Sequence, residues 1–233
     1  MTSLKKLLGK TLLATACLGT AMSAAADVLS DIKARDEIRI AVPQDFPPFG
    51  SVGADLKPQG IDVGMANYIA DQLGVDLTIV PVTSANRIPY LQTNKVDLVI
   101  SSLGKNPERE KAIDFSTPYA PFFLGVFGEK SISVGALQDL SGKTVGVTRG
   151  SVEDLELEKN APSDVTVQRF EDNNTTLTAY LSGQVNLIAT GNLVATEIAK
   201  RKPARAPEAK FMLKDSPCYI GMAKGETALQ TEV

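Results

Sequence analysis

One stretch of the sequence combines the features of an anion-binding site. The apolar, β-branched run 96–100 predicts a buried strand, and Asn106-Pro107-Glu108 is typical of a helix start. Arg109 then falls in the first turn of that helix, where free backbone N–H groups and the positive end of the helix dipole meet a sheet edge. An arginine there can hold a carboxylate through two parallel hydrogen bonds. The stretch therefore predicts a site for a small carboxylate, and an ordinary capped helix with a surface arginine is the alternative.

A second arginine follows another predicted strand in the same way. Residues 77–82 predict a strand, and Ser84 or Asn86 can cap the short helix that comes after it. Arg87 therefore also falls near a helix start at the carboxyl end of a strand.

The loop after the first predicted strand holds two aromatic residues around a proline pair. In Phe46-Pro47-Pro48-Phe49 the prolines stiffen the backbone and can keep a ring in one place. Phe46 is therefore a candidate wall for a ligand, whereas we expect Phe49 to fill the core.

The composition excludes several classes of protein. The formal net charge is −3 and no basic block occurs, so we expect no nucleic-acid partner. The chain has no histidine, which removes His-based catalytic triads and most zinc and non-haem iron sites. We expect neither a metal nor another cofactor.

Residues 1–26 have the pattern of a cleavable secretory signal peptide, with lysines first, then an apolar stretch and a run of alanines. This pattern predicts soluble export to the periplasm. The alternative is a lipoprotein that begins at Cys17, although Ala14 stands where such signals usually carry Leu. After cleavage Cys218 is the remaining cysteine, so we expect no disulfide within the chain and a small buried side chain at this position.

The rest of the chain alternates strands and helices, which predicts an α/β fold with mostly parallel sheets flanked by helices. The pattern restarts after residues 128–133, and we expect a first lobe over 27–122 and an inserted second lobe over 123–217. Residues 218–233 then return to the first lobe, so that the chain crosses between the lobes twice. The sequence stops inside a helix that Thr227 begins, and the first lobe is expected to be truncated.

Several segments, in their order and spacing, resemble one known family. They are Asp45 to Phe49, Asp97 to Gly104, Glu108-Arg109, Asp114 to Tyr119, Leu140 to Val147, and Gly150-Ser151. Over residues 36–233 the chain resembles the periplasmic amino-acid-binding proteins of ABC importers, the bacterial family 3 solute-binding proteins. The resemblance implies a two-lobe periplasmic binding protein-like fold that closes over one ligand by hinge bending. It also implies a monomer that performs no chemistry and delivers its ligand to a membrane-embedded ABC permease.

The resemblance also implies roles for particular residues. Arg109 matches the arginine that holds the α-carboxylate of the ligand, and the stretch 83–89 looks like the glutamate/aspartate-binding subgroup. In that subgroup the residues that match Ser84 and Arg87 contact the side-chain carboxylate. The remaining matched contacts are Ser102 and Gly104 beside the carboxylate, Phe46 packed on the ligand, and Thr148 and Ser151 from the second lobe.

The sequence departs from the family at one position that matters for the ligand. Most members place an aspartate after the strand at 185–189 to accept the ligand ammonium, but here Gly191 stands there, with Asn192 beside it as a candidate contact. A buried ammonium without a charged acceptor is unfavourable by a few kcal/mol. Asp45 or Glu153 could replace the aspartate; otherwise the ligand is a dicarboxylate or another organic acid without an amino group.

Two further readings remain open from the sequence. The same fold is found in cyclohexadienyl dehydratases, exported enzymes that need an acid over the substrate hydroxyl, for which Glu153 is the candidate. A sensor domain would need a membrane span and a signalling region downstream. We expect a binding protein for a small carboxylated solute, most simply a polar or acidic amino acid.

Overall fold

The computed structural model describes residues 27–233 as an α/β protein of two lobes. The predicted signal peptide and Cys17 lie outside the described residues. The helices are α1 (Val28–Arg35), α2 (Ile61–Leu73), α3 (Arg87–Gln92), α4 (Pro107–Ala112), α5 (Val152–Asn160), α6 (Asn173–Leu181), α7 (Asn192–Lys200) and α8 (Thr227–Glu232). Single 3₁₀ turns lie at Ser84–Asn86 and Leu137–Leu140. None of the helices in this part of the chain is both long and apolar enough to cross a membrane.

The strands form two main sheets and one small one. They are β1 (Glu37–Val42), β2 (Asp45–Phe46), β3 (Gly50–Val52), β4 (Pro58–Gln59), β5 (Asp76–Pro81), β6 (Leu98–Gly104), β7 (Ile113–Ala120), β8 (Phe123–Gly128), β9 (Thr144–Thr148), β10 (Thr166–Phe170), β11 (Leu187–Gly191), β12 (Glu208–Asp215) and β13 (Cys218–Ala223). The first sheet has the order β5-β1-β6-β13-β7, the second has the order β10-β9-β11-β8-β12, and β2, β3 and β4 form the small sheet.

Each main sheet contains one strand that runs against the others. In the first sheet β13 is antiparallel to both of its neighbours, β6 and β7, whereas β1 pairs in parallel with β5 and β6. In the second sheet β8 is the reversed strand. The reversed strand in each case is the one that arrives from the other lobe. The predicted fold, two lobes with mostly parallel sheets flanked by helices, is confirmed.

The connections between the two sheets are short and lie side by side. Strand β7 ends at Ala120 and β8 begins at Phe123, while β12 ends at Asp215 and β13 begins at Cys218. The backbone N–H of Ser216 in the second connection donates to the carbonyl of Phe122 in the first, over 2.9 Å. Two short segments tied together in this way form a hinge region between the first lobe (the first sheet, the small sheet, α1 to α4 and α8) and the second lobe (β8 to β12 and α5 to α7).

Local sequence signals explain the elements that flank the cleft. Apolar spacing over 61–73, followed by Gly74, predicts a helix that ends at Leu73, and α2 occupies this span. Gly74 ends it with a positive φ of 67°. Asn106 caps α4 by accepting from the N–H of Arg109 over 2.8 Å, as predicted. Strand β6 differs from the prediction for 96–100 because it continues through Gly104, and all seven of its residues are buried.

Two side chains behave as the sequence predicts. Phe49 is fully buried in a cluster of aromatic and aliphatic residues at the hinge. Cys218 is buried in the same cluster, and burial raises the pKa of its thiol to about 12. The thiol therefore stays protonated and packs as a small apolar group.

Candidate ligand-binding site between the lobes

A polar cavity of about 30 Å³ lies where the two lobes meet. Six of the nine predicted contacts line it: Phe46, Ser84, Arg87 and Ser102 from the first lobe, and Thr148 and Ser151 from the second. The other three, Gly104, Arg109 and Asn192, lie outside this lining. Because the space suits about two water molecules, a larger solute enters only when the lobes separate.

Arg87 presents a preorganised guanidinium to the cavity. It is 4% exposed at the start of α3, where Nε donates to the carbonyl of Ser84 over 3.2 Å and Nη1 donates to the carbonyl of Ser101 over 2.8 Å. Within residues 27–233, no protein group accepts from Nη2. Burial lowers the pKa of Arg87, and the negative charges of Glu153 and Asp62 oppose this shift. The guanidinium remains charged at neutral pH and can bind an anionic group.

Glu153 brings a buried carboxyl group to the same cavity from the second lobe. It lies in the first turn of α5 and is 5% exposed. Burial raises the pKa of its carboxyl, whereas hydrogen bonding from its own backbone and Ser151, and the charges of Arg87 and Arg109, act to lower it. No N···O separation of 4.0 Å or less joins Arg87 to Glu153. The two charges therefore face the cavity without forming a direct ion pair.

A buried carboxylate fixes the cavity wall at Ser102. Asp62, in the first turn of α2, accepts from the N–H of Ser102 over 2.8 Å and from the hydroxyl of Tyr119 over 2.6 Å. Ser102 has a φ of 39°, a conformation that few residues other than glycine adopt. Burial raises the pKa of Asp62 to about 6. Asp62, whose carboxyl has a raised pKa, thus holds the strained backbone of Ser102 in place.

Arg109 joins the two lobes and does not line the cavity. It is 7% exposed, and its Nη1 donates to the carbonyl of Gly104 over 2.6 Å while Nη2 donates to the carbonyl of Gly150 over 2.9 Å. Burial and the neighbouring charge of Arg87 together lower the pKa of Arg109 to about 9, against the opposing effect of Glu153. In this closed arrangement Gly104 supplies a carbonyl to Arg109. The contact between Arg109 and a ligand carboxylate stays a prediction.

The lobes approach closely beside this bond. Gly150 has a φ of 71°, and a Cβ on it would lie 2.9 Å from Cα of Ala85 in the first lobe. A Cβ on Gly104 would lie 2.8 Å from Cγ2 of Val152 in the second lobe. A side chain at either position would therefore push against the opposite lobe, and at Gly150 it would also be strained by the positive φ.

A second contact between the lobes is made by Asp45. Its carboxylate accepts from the N–H of Asn173 over 2.7 Å, from Nδ2 of Asn173 over 3.0 Å and from the N–H of Asn174 over 3.2 Å. A carboxylate of the first lobe thus caps the N-terminus of α6 in the second lobe, where it is favoured by the free N–H groups and the helix dipole. Asn173 in turn accepts from the hydroxyl of Thr148 over 2.8 Å.

Comparison with known sequences identifies the family. Residues 38–233 match the family described as bacterial extracellular solute-binding proteins, family 3. The chain belongs to this family. It is 30% identical over 210 residues to the glutamine-binding protein of Geobacillus stearothermophilus, an alignment that covers 88% of this chain and 79% of the relative.

Solved structures of this family have the same fold. The arginine-bound form of truncated ArgBP from T. maritima is 29% identical, with a TM-score of 0.81 over 87% of this chain and 95% of that chain. The ancestral amino acid-binding protein AncCDT-1, described as a precursor of cyclohexadienyl dehydratase, is 27% identical, with a TM-score of 0.79 over 89% of this chain and 90% of that chain.

The structure leaves no room for a side chain at Gly191, the position at which the resemblance predicts an aspartate in most members. A Cβ on Gly191 would lie 1.9 Å from Cζ of Phe122, so the aromatic ring fills the space that a side chain at position 191 would need. Asn192 next to it does not line the cavity, and its Oδ1 accepts instead from the N–H of Phe123 over 3.3 Å. Neither position supplies a carboxylate or an amide to the cavity.

The cavity includes residues that the sequence analysis did not select. These are Ser101, Phe122, Asn173, Thr190 and Ser216, among others. Ser101 could have been predicted as a contact, because it lies next to Ser102 at the end of the predicted strand 96–100. Phe122 and Ser216 lie on the two hinge connections, and their sequence neighbourhood indicates only apolar or loop character.

Proposed function

We propose that this protein captures an amino acid with a polar or acidic side chain in the cavity between its lobes and presents it to the membrane permease of an ABC importer. The observation that carries the proposal is the buried guanidinium of Arg87, which lines the cavity and whose Nη2 has no protein acceptor among residues 27–233. A guanidinium kept in this state by two carbonyls is prepared for a carboxylate.

Capture would work by closure of the lobes on the ligand. The bonds from Arg109 to Gly150 and from Asp45 to Asn173 join opposite lobes, so both must break when the cleft opens. A ligand that contacts both lobes favours the closed state by the difference between its affinities for the two states. A permease can then distinguish loaded from empty protein by the closure of the lobes.

The proposal also concerns which ligand side chain the cavity selects. Glutamine and arginine are named for the relatives above, whereas the stretch 83–89 resembles the glutamate/aspartate-binding subgroup. An acidic amino acid would bring two carboxylates, and Arg109 would have to leave its carbonyl partners to bind the second one. A polar, uncharged side chain needs only Arg87, with the hydroxyls of Ser84 and Thr148 available to it.

Location and assembly follow from the same proposal. Residues 1–26 would direct export to the periplasm, where the protein would act as a monomer. Cell fractionation of a tagged chain tests the location, since a cytoplasmic pool without a processed periplasmic form would contradict it.

Isothermal titration calorimetry with the purified protein tests the binding function. We expect heat of binding from at least one polar or acidic amino acid and its loss in Arg87→Ala. Failure of all polar and acidic amino acids, and of dicarboxylates, to bind would contradict the proposal. Binding of dicarboxylates alone would favour the alternative of an organic-acid importer.

An enzymatic alternative is favoured by one observation. Glu153 is a buried acid with a raised pKa in the cavity, as a general acid requires, and AncCDT-1 has the same fold. Incubation of the purified protein with prephenate separates the two functions, because a dehydratase would release phenylpyruvate whereas a binding protein would leave prephenate unchanged.

A further inference from the structure

Two opposite charges face the same cavity from opposite lobes. Arg87 lies on α3 of the first lobe and Glu153 on α5 of the second, and both are at least nine-tenths buried. Each would be costly to bury alone. Because no direct ion pair joins them, each still lacks an oppositely charged group in contact.

The other acids near the cavity are already engaged or absent. Asp45 accepts three hydrogen bonds from Asn173 and Asn174, and Asp62 accepts from Ser102 and Tyr119. At Gly191 the ring of Phe122 leaves no room for a side chain. Among the described residues that line the cavity, Glu153 is the acidic one.

We propose that Arg87 and Glu153 form a clamp for a zwitterion, in which Arg87 pairs with the ligand carboxylate and Glu153 accepts from the ligand ammonium. This inference rests on the proposed function and assigns the residues that recognise the two charged groups of its ligand. A solute with both charged groups satisfies both buried residues at once. A solute with carboxylates alone meets the negative charge of Glu153 at close range and leaves it without a partner.

The clamp also couples recognition to closure. The carboxylate partner belongs to the first lobe and the ammonium partner to the second, so a zwitterion bridges the cleft only when the lobes are together. A solute that lacks the ammonium group binds one lobe and gains nothing from closure at this point.

The test compares amino acids with their des-amino analogues by calorimetry. The probes are L-glutamate with glutarate and L-glutamine with 4-carbamoylbutanoate. The proteins are the wild type, Glu153→Gln, Glu153→Asp and, as a matched control at an exposed glutamate of β12, Glu208→Gln. Thermal melts without ligand verify that each variant folds.

The wild type should bind at least one amino acid roughly 100-fold more tightly than its analogue, because one buried ion pair changes the affinity by a factor of about 100. Glu153→Gln should weaken binding of the amino acid and strengthen binding of the analogue, so that the ratio of the two affinities falls below about tenfold. Glu153→Asp should restore part of the ratio, and Glu208→Gln should leave it unchanged.

Three results would overturn the clamp. If the wild type binds an analogue as tightly as its amino acid, the ammonium is not recognised. If Glu153→Gln weakens both members of a pair by the same factor, Glu153 has only a structural role. If no amino acid of any kind binds, the proposed function fails as well, and this outcome differs from the first two because binding itself is absent.

Discussion

Nη2 of Arg109 donates to the carbonyl oxygen of Gly150 over 2.9 Å, and this bond ties the first lobe to the second. The same guanidinium holds the carbonyl of Gly104 in its own lobe. Arg109 therefore acts on closure in this arrangement, whether or not it also contacts a carboxylate in the loaded protein.

We expect Arg109→Ala to weaken binding of the amino acid by roughly 2–5 kcal/mol, because a buried charged donor is lost from the contact between the lobes. Arg109→Lys should bind the amino acid almost as weakly as Arg109→Ala does, since a single ammonium cannot reach both carbonyls as the forked guanidinium does. Calorimetry gives the affinities. Affinity equal to that of the wild type in both variants would remove Arg109 from the account.

Asp45 provides a second test of closure through a matched pair of caps. Asp45 caps α6 from the opposite lobe, whereas Asp172 caps it within its own lobe by accepting from the N–H of Thr175 over 2.7 Å. Asp45→Asn should lower ligand affinity by about 1–2 kcal/mol and open the unliganded protein. Asp172→Ala should lower the thermal stability, because it removes the N-cap, with little change in the radius of gyration.

Small-angle scattering and calorimetry on the two variants distinguish these effects. Equal radii of gyration and equal affinities for Asp45→Asn and the wild type would mean that this cap does not contribute to closure in solution.

The ring of Phe122 predicts the effect of adding a single methyl group to Gly191. The backbone of Gly191 has a φ of −75°, which alanine adopts readily, so that Gly191→Ala is opposed only by the ring 1.9 Å away. We expect a loss of about 1–3 kcal/mol in the free energy of unfolding from overpacking. Phe122→Leu should relieve this clash and make the double variant more stable than additivity predicts.

Gly64→Ala is the control, because Gly64 lies inside α2 with open space around its Cβ position. The same chemical change there should stabilise the protein by up to about 1 kcal/mol. Urea denaturation measures all four variants. Additive losses for Gly191→Ala and Phe122→Leu would show that the ring does not occupy this space.

The raised pKa of Asp62 predicts a pH dependence of stability. The carboxyl titrates near 3.8 in the unfolded chain and near 6 in the native state, so the native state binds the proton more tightly between these values. The free energy of unfolding therefore loses a contribution from Asp62 as pH rises through this window. A shift of about two pKa units corresponds to about 3 kcal/mol.

Urea denaturation of the wild type and Asp62→Asn at about pH 4 and about pH 7 measures this contribution. The difference in stability between the variant and the wild type should move in favour of asparagine at the higher pH. Parallel pH profiles for the two proteins would mean that Asp62 titrates normally in the native state.

The sequence predicts those elements whose signals are local. Helix α2 has its predicted bounds because apolar spacing and a terminal glycine both lie within the segment, and Ser151 caps α5 by accepting from the N–H of Asp154 over 3.1 Å. Strand β12 was not predicted. Its side chains do not alternate, since the register with β8 shifts twice along the strand, and only pairing with β8 defines it as a strand.

The candidate site likewise contains residues that local sequence signals predict and residues that they do not. Arg87 and Ser84 could be found because a strand end and a helix start place them at a sheet edge. The bond between Asp45 and Asn173 joins residues that are 128 positions apart, and nothing near either residue indicates it. The ring of Phe122 beside Gly191 likewise depends on how a hinge segment packs against the end of β11.

The central claim is that a zwitterionic solute lies between Arg87 and Glu153. A crystal structure of the protein with the amino acid that binds most tightly in calorimetry tests it most directly. The account predicts a ligand carboxylate on Nη2 of Arg87 and a ligand ammonium on the carboxylate of Glu153, with the lobes closed. An amino acid bound elsewhere, or one whose ammonium contacts neither oxygen of Glu153, would contradict it.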